Sequence, residues 1–285
     1  MWTKRQRYSV LMPVPESGAD RLAAVFAAAG RPLFVPYVMG GFPTLTASAR
    51  HAGILAKHAD IIELGIPFSD PLADGPTIQA AGQVALDQGV RPADVLAIAK
   101  GLKGGPPVVV MTYVNTVIAH GADDFLSRCA TAGVAGLIIP DLPVDEAGDI
   151  RAAARRAGVA LIALAAPTTD DARMAAIGQV AEGFVYLVAM TGVTGGEMTI
   201  DDRLRALVDR ARRHISVPVV VGFGVRTPEQ ARQIGDIADG VVIASEIVRR
   251  IGDAPDAAAA DAVVAEFGAE IGAALRAERL EGVGP

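Results

Sequence analysis

Among 285 residues the chain has one cysteine, one tryptophan and only four lysines (Lys4, Lys57, Lys100, Lys103) in 26 basic residues. One cysteine excludes an internal disulfide and a cysteine metal cluster. Cys129 sits in the helical segment FLSRCATAG and is expected as a small buried core residue. The histidines His51, His58, His120 and His214 form no ligand cluster, so no metal is expected. His51 and His58 lie seven apart, read as one helix with both rings facing solvent. No stretch approaches 18 uninterrupted apolar residues, so no membrane span is expected. The N-terminal MWTKRQRYSVLMPVPESG is basic but lacks the apolar run of a secretory signal. A net charge of -6 argues against nucleic acid and anionic membranes as partners. It still permits one phosphate, which backbone N–H groups can bind. The location expected from these features is a reducing cytoplasm.

What is present is aliphatic. Hydrophobic residues make up 51% of the chain and aromatics 5%, the mixture of parallel strands buried on both faces. Short apolar runs recur near 33–39, 60–64, 108–112, 136–139, 160–164, 184–188, 219–222 and 240–243, each followed by a helical stretch. Eight such units in this length predict an α/β fold, a single-domain (β/α)8 TIM barrel. Leu22, Val25, Phe26 and Ala29 predict an extra N-terminal helix under the barrel. Val264, Phe267, Ile271 and Leu275 predict a final amphipathic helix, with the alanine-rich 254–262 leading into it as loop. The expected organisation is a flexible extension over 1–19, a barrel over 20–278 and a tail over 279–285.

Chemistry in such barrels sits on the loops after the strands. Glu63 is the first polar residue after the run of strand 2, and by alternation it points into the mouth, where burial raises a carboxyl pKa. Asp74 follows in a proline-restricted loop that leads to a helix start near Thr77. Thr112, Tyr113 and Asn115 follow strand 3, Asp141 follows strand 4, and Tyr186 lies within strand 6. VVVGFGV and VVIASEIV place Gly224 and Ser245 after strands 7 and 8, either as an anion cradle or as a tight turn with a cap. A dinucleotide fingerprint is not met, because position 227 is threonine. TGVTGG after strand 6 reads as a glycine-rich lid. No lysine falls at the end of a strand, which excludes a Schiff-base aldolase.

The string ELGIPFSDPLADGPTIQ (63–79) resembles the signature of the tryptophan synthase alpha subunit family. The resemblance continues through PYVMGGFPT, MTYVN, IIPDLPVDEA, YLVAMTGVTGG, VPVVVGFGVRTPEQ and VVIASEIVR, in family order over roughly 20–275. It implies retro-aldol cleavage of indole-3-glycerol phosphate to indole and D-glyceraldehyde 3-phosphate. It makes Glu63 and Asp74 the catalytic carboxylates, with Tyr186 beside the substrate and Thr194 closing the site. Gly195, Gly224 and Ser245 become phosphate contacts, and Phe34, Ile66 and Leu137 apolar walls for indole.

The resemblance further implies no cofactor in this chain, with pyridoxal phosphate on a partner beta subunit in an alpha2-beta2 assembly. The loops FSDPLADGP and YVNTVIAHG become contact surfaces for that partner. Two alternatives stand beside this reading: a stand-alone lyase releasing free indole, and a non-catalytic barrel that activates a beta subunit. The chain departs from the family pattern at Gly41-Phe42-Pro43, where an acid is common, at Met190 in place of a basic residue, and at Ala244 in place of glycine.

Overall fold

A computed structural model describes residues 17–119, 121–188, 202–222 and 224–277. The elements run α1 (Gly18–Ala29), β1 (Leu33–Met39), α2 (Leu45–Leu55), β2 (Ile62–Gly65), α3 (Pro76–Asp87), α4 (Pro92–Gly101), β3 (Val108–Met111), α5 (Val114–Ala119), α6 (Ala122–Thr131) and β4 (Val134–Ile138). They continue with α7 (Gly148–Ala157), β5 (Ala160–Ala165), α8 (Asp171–Val180), β6 (Val185–Val188), α9 (Asp202–His214), β7 (Val219–Gly222), α10 (Pro228–Gly235), β8 (Gly240–Ile243), α11 (Ser245–Asp253) and α12 (Ala257–Arg276). The eight strands are parallel and close in sequence order, β8 pairing back onto β1. This is the (β/α)8 barrel that the recurring apolar runs predicted.

Alternation sorts the strand residues into two layers. Val35, Ile61, Val109, Ile138, Ile162, Phe184, Val220 and Val242 fill the barrel interior. Phe34, Leu64, Val110, Leu137, Leu161 and Val221 face the other way, into the layer between strands and helices. Gly136 suits the crowded interior, because a Cβ there would stand 3.1 Å from the side chains of Ile162 and Val109 and press them aside.

The foot of the barrel is closed by α1. Helix α1 begins at Gly18, with Ser17 and Asp20 forming a capping box, so its N-terminal turn takes in residues expected in the flexible extension. Leu22 plugs the barrel against the interior set. A Cβ on Gly18 would stand 1.9 Å from the Ala135 carbonyl oxygen, so only glycine lets α1 approach so closely. Arg31 donates to both oxygens of Asp60 at 2.8 and 2.9 Å, and Asp60 also accepts the Phe34 N–H at 2.8 Å.

Helix α12 covers the outside, burying Val264, Phe267, Ile271 and Leu275. Asp256 caps it, so the alanine-rich segment is helical from Ala257 rather than loop. His51 corrects another expectation. It is fully buried under α12 with its Nε2 3.1 Å from Asp261, while His58 lies past the end of α2. Cys129 is buried, and burial pushes its thiol up to about 12.

Candidate active site

Strand β2 carries Glu63 into the barrel. Its Cα is in register with Tyr37 on β1 and Val109 on β3, both interior residues. The side chain is 1% exposed, and Oε2 has no hydrogen-bond partner. Burial, and secondarily the neighbouring Asp74 carboxyl, raise its pKa to about 8. At neutral pH it is therefore a protonated acid with a free oxygen.

Asp74 comes from the loop between β2 and α3. A turn from Pro71, and Gln79 donating to the Asp74 carbonyl at 2.8 Å, hold the loop in shape. Pro76 then starts α3, where a missing N–H costs nothing. Burial raises Asp74 to about 6, and a hydrogen bond donated by the Tyr113 hydroxyl pulls the other way. The same hydroxyl accepts the Ala73 N–H at 3.1 Å, and its ring stacks on Phe68 with centroids 5.0 Å apart. Tyr113 thus fastens the β2 loop at three points. Two carboxyls in one low-dielectric space, the one neutral and the other mostly ionised near pH 7, can divide acid and base work.

Tyr186 on β6 faces the same space. Its phenol is pushed well up by burial and by the charges of Glu63 and Asp74. Tyr37 behaves likewise, and its hydroxyl occupies the space a Gly65 side chain would fill. A cavity of about 440 Å³ opens beside this group, walled by Met111, Ile138, Leu164 and Tyr186. Ala73 also lines it, so Asp74 stands at its edge. Neither carboxyl lines it directly.

Across the mouth, Gly224 follows β7 in the left-handed region (φ 64°) and is exposed. Ser245 opens α11 directly after β8, and no side chain caps that helix. The N-terminal N–H groups of α11 are thus without a side-chain cap, an arrangement that accepts anions. Ala244 precedes them with φ -115° and ψ -73°.

The structure brings together Glu63, Asp74 and Tyr186, and places Gly224 and Ser245 on neighbouring strand ends. It does not bring Phe34, Ile66 or Leu137 to the site, because all three belong to the layer between strands and helices. One residue of register separates each from the interior face. Thr194, Gly195, Met190, His120 and the whole TGVTGG segment lie outside the described residues. The apolar interior positions Met111, Ile138 and Leu164, and the hydroxyl of Tyr37, were missed in the sequence. Applying the alternation that placed Glu63 to the other strands finds all four.

The family model for the tryptophan synthase alpha chain matches residues 24–274. The chain belongs to this family. It is 45% identical over 263 residues to the tryptophan synthase alpha chain of Rhizorhabdus wittichii, covering 90% of this chain and 96% of that one. Among solved structures, it is similar to Mycobacterium tuberculosis tryptophan synthase at 37% identity and a TM-score of 0.82, covering 90% and 99% of the two chains. The tryptophan synthase alpha subunit of Legionella pneumophila superposes with a TM-score of 0.83 at 31% identity, covering 91% and 98%. The family match runs from within α1 into α12 and so takes in every strand, Glu63, Asp74 and the Arg31–Asp60 pair.

Proposed function

We propose that the chain is the carbon–carbon lyase of tryptophan synthase. It cleaves indole-3-glycerol phosphate to indole and D-glyceraldehyde 3-phosphate, the alpha reaction of L-tryptophan biosynthesis. The observation that carries this reading is Glu63, a buried acid with a free oxygen held proton-loaded beside a second carboxyl.

Indole carbon 3 is a poor leaving group until it is protonated. Glu63 delivers that proton, giving an indolenine with positive character at the ring nitrogen. Asp74, ionised, accepts the ring N–H hydrogen bond and disperses that charge. The bond from carbon 3 to the glycerol carbon then breaks, and its electrons restore the aromatic ring. The neighbouring hydroxyl loses its proton to Glu63 as the aldehyde forms, which reloads the acid. Tyr186 borders the ring, and Met111, Ile138 and Leu164 supply the apolar wall expected of Phe34, Ile66 and Leu137. Gly195, Gly224, Ser245 and the α11 N–H groups bind the phosphate, with Thr194 assigned to closing the site.

The partner is a beta subunit, which carries the pyridoxal phosphate, in an alpha2-beta2 assembly in the cytoplasm. Two of the few large exposed apolar side chains support this: Leu72 (93% exposed) lies in FSDPLADGP and Ile118 (57%) in YVNTVIAHG, the two loops expected at that contact. The test supplies purified chain with indole-3-glycerol phosphate, with and without a beta subunit, and follows glyceraldehyde 3-phosphate. Weak cleavage alone and strong cleavage in complex are expected. Full activity alone points to the stand-alone lyase, and activation of a beta subunit with no cleavage in either setting points to the non-catalytic barrel.

A further inference from the structure

The cavity beside the catalytic group does not end at the barrel interior. Its wall also includes residues from the opposite face of β5, Leu161 and Ala163, together with Ala147 just before α7, Arg151 of α7 and Ile177 of α8. Three observations explain the space. Helix α7 packs on α6, and α8 packs on α9, whereas α7 and α8 pack on each other sparsely at most over β5. The outward positions of β5 in this seam include alanines at 163 and 165, too small to fill it. Ala163 keeps part of its surface open although the strand is central to the barrel wall. The outer rim is closed by an ion pair across the seam, Arg173 Nη2 to Asp145 Oδ2 at 2.7 Å.

Arg151 is the unusual member. It is half-buried, and its guanidinium makes no hydrogen bond among the described residues. The acids around it are engaged elsewhere. Glu182 is paired with Arg155 at 2.7 Å, Asp145 with Arg173, and Asp141 accepts the Val114 N–H at 2.9 Å. Desolvation and the nearby Arg155 disfavour the charge on Arg151, and the field of Glu182 offsets them only in part. The chamber is mostly apolar, with Asp141, Thr169 and the paired Arg173 among its other polar lining, and a partly desolvated cation in such a wall is complementary to an anion with an apolar body.

We infer that the seam between α7 and α8 is a second ligand site, one that takes a small organic carboxylate. Its hydrocarbon part lies over Ala147, Leu161, Ala163 and Ile177, and its carboxylate meets Arg151. The site is distinct from the phosphate cradle at Gly224 and Ser245, and it does not depend on the reaction proposed above. A ligand lodged there occupies the outer part of the cavity whose inner part borders the catalytic group, so the site is placed to sense or modulate occupancy of the mouth.

Benzoate is the probe, with benzamide as its uncharged isostere and inorganic phosphate as an anion with no apolar body. Binding to the full chain is followed by calorimetry and by NMR shift changes, in the wild type, Arg151→Gln and Ala163→Leu. Saturable millimolar binding of benzoate is expected, as suits a ligand of this size. Arg151→Gln should weaken it about tenfold or more, the usual loss for a charged hydrogen bond. Benzamide should bind at least about tenfold more weakly than benzoate and should be indifferent to Arg151→Gln. Ala163→Leu should abolish benzoate binding by filling the chamber, while Arg151→Gln leaves cleavage of indole-3-glycerol phosphate unchanged. The inference is overturned if benzoate fails to bind at millimolar concentration, binds Arg151→Gln as well as wild type, or binds no better than benzamide or phosphate. Should Ala163→Leu fail to fold, the Arg151→Gln and benzamide comparisons decide the matter alone.

Discussion

Asp60 and Glu63 stand three residues apart, one just before β2 and the other within it, and the fold treats them in opposite ways. At the foot, Asp60 accepts two hydrogen bonds from Arg31 and a third from the Phe34 N–H. At the mouth, Glu63 is buried with an oxygen that nothing meets, and its nearest charged neighbour is another acid. The first acid helps hold the barrel shut. The second is destabilised by the same barrel, which keeps a proton available where a substrate ring can reach it. Stability and chemistry are thus assigned to the foot and the mouth of the barrel, as is usual for this fold.

The sharpest way to break this contrast is at Glu63. Glu63→Gln keeps the shape and removes the transferable proton. Cleavage of indole-3-glycerol phosphate should fall by about a thousandfold or more, within the range of general acid–base contributions, while unfolding by heat shows no loss of stability. Retained activity would remove Glu63 from the reaction. The opposite variant, Asp60→Ala, strands the half-buried Arg31 charge and the Phe34 N–H. It should cost about 2–3 kcal/mol in urea unfolding with kcat unchanged. A variant that lost kcat but not stability would show that the foot is not merely structural.

Stability against pH gives a third test, somewhat smaller. Folding raises the Glu63 pKa from its ordinary value of 4.5 to about 8. Between those values the folded chain keeps a proton that the unfolded chain has released, so this group's contribution to stability falls as pH rises through that window. Asp74, raised from 3.8 to about 6, acts in the same sense at lower pH. The neutral amide of Glu63→Gln lacks this slope. From about pH 5 to 7 the variant should gain on the order of 2 kcal/mol relative to wild type. Parallel stability curves would mean that Glu63 is not held protonated.

Much of this was legible in the sequence, and the failures have a common cause. The eight strands were located because buried parallel strands are nearly continuous apolar runs. Glu63 was legible because a lone acid after such a run has only one interior phase. Phe34, Ile66 and Leu137 were misplaced because in a run that is apolar on both faces, hydrophobicity does not tell inside from outside. Only counting by twos from Glu63 across the paired strands does that. His51 was expected in solvent because its cover, Asp261 on α12, lies 210 residues away in the chain and no local pattern announces it. The anchoring role of Tyr113 was hidden for a similar reason, since the loop it holds belongs to a different strand unit.

Tyr113 therefore gives the finest test, because it tunes the contrast without abolishing it. Its hydroxyl donates to Asp74 and accepts from the Ala73 N–H, so it both favours the ionised Asp74 and fixes the loop that presents it. Tyr113→Phe removes both bonds and leaves the stacking surface for Phe68. The lost donor lets the Asp74 pKa rise further. If ionised Asp74 is the partner of the indole N–H, the acid limb of kcat/KM must then move to higher pH, by up to about one unit. At pH 7 activity should drop several-fold, and part of the loss should return as the pH is raised. The missing bond to Ala73 should cost about 1 kcal/mol of stability, but that loss does not recover with pH. A uniform fall in rate across pH would assign Tyr113 to holding the loop alone, whereas a shifted limb shows that it also sets the charge of the loop's working acid.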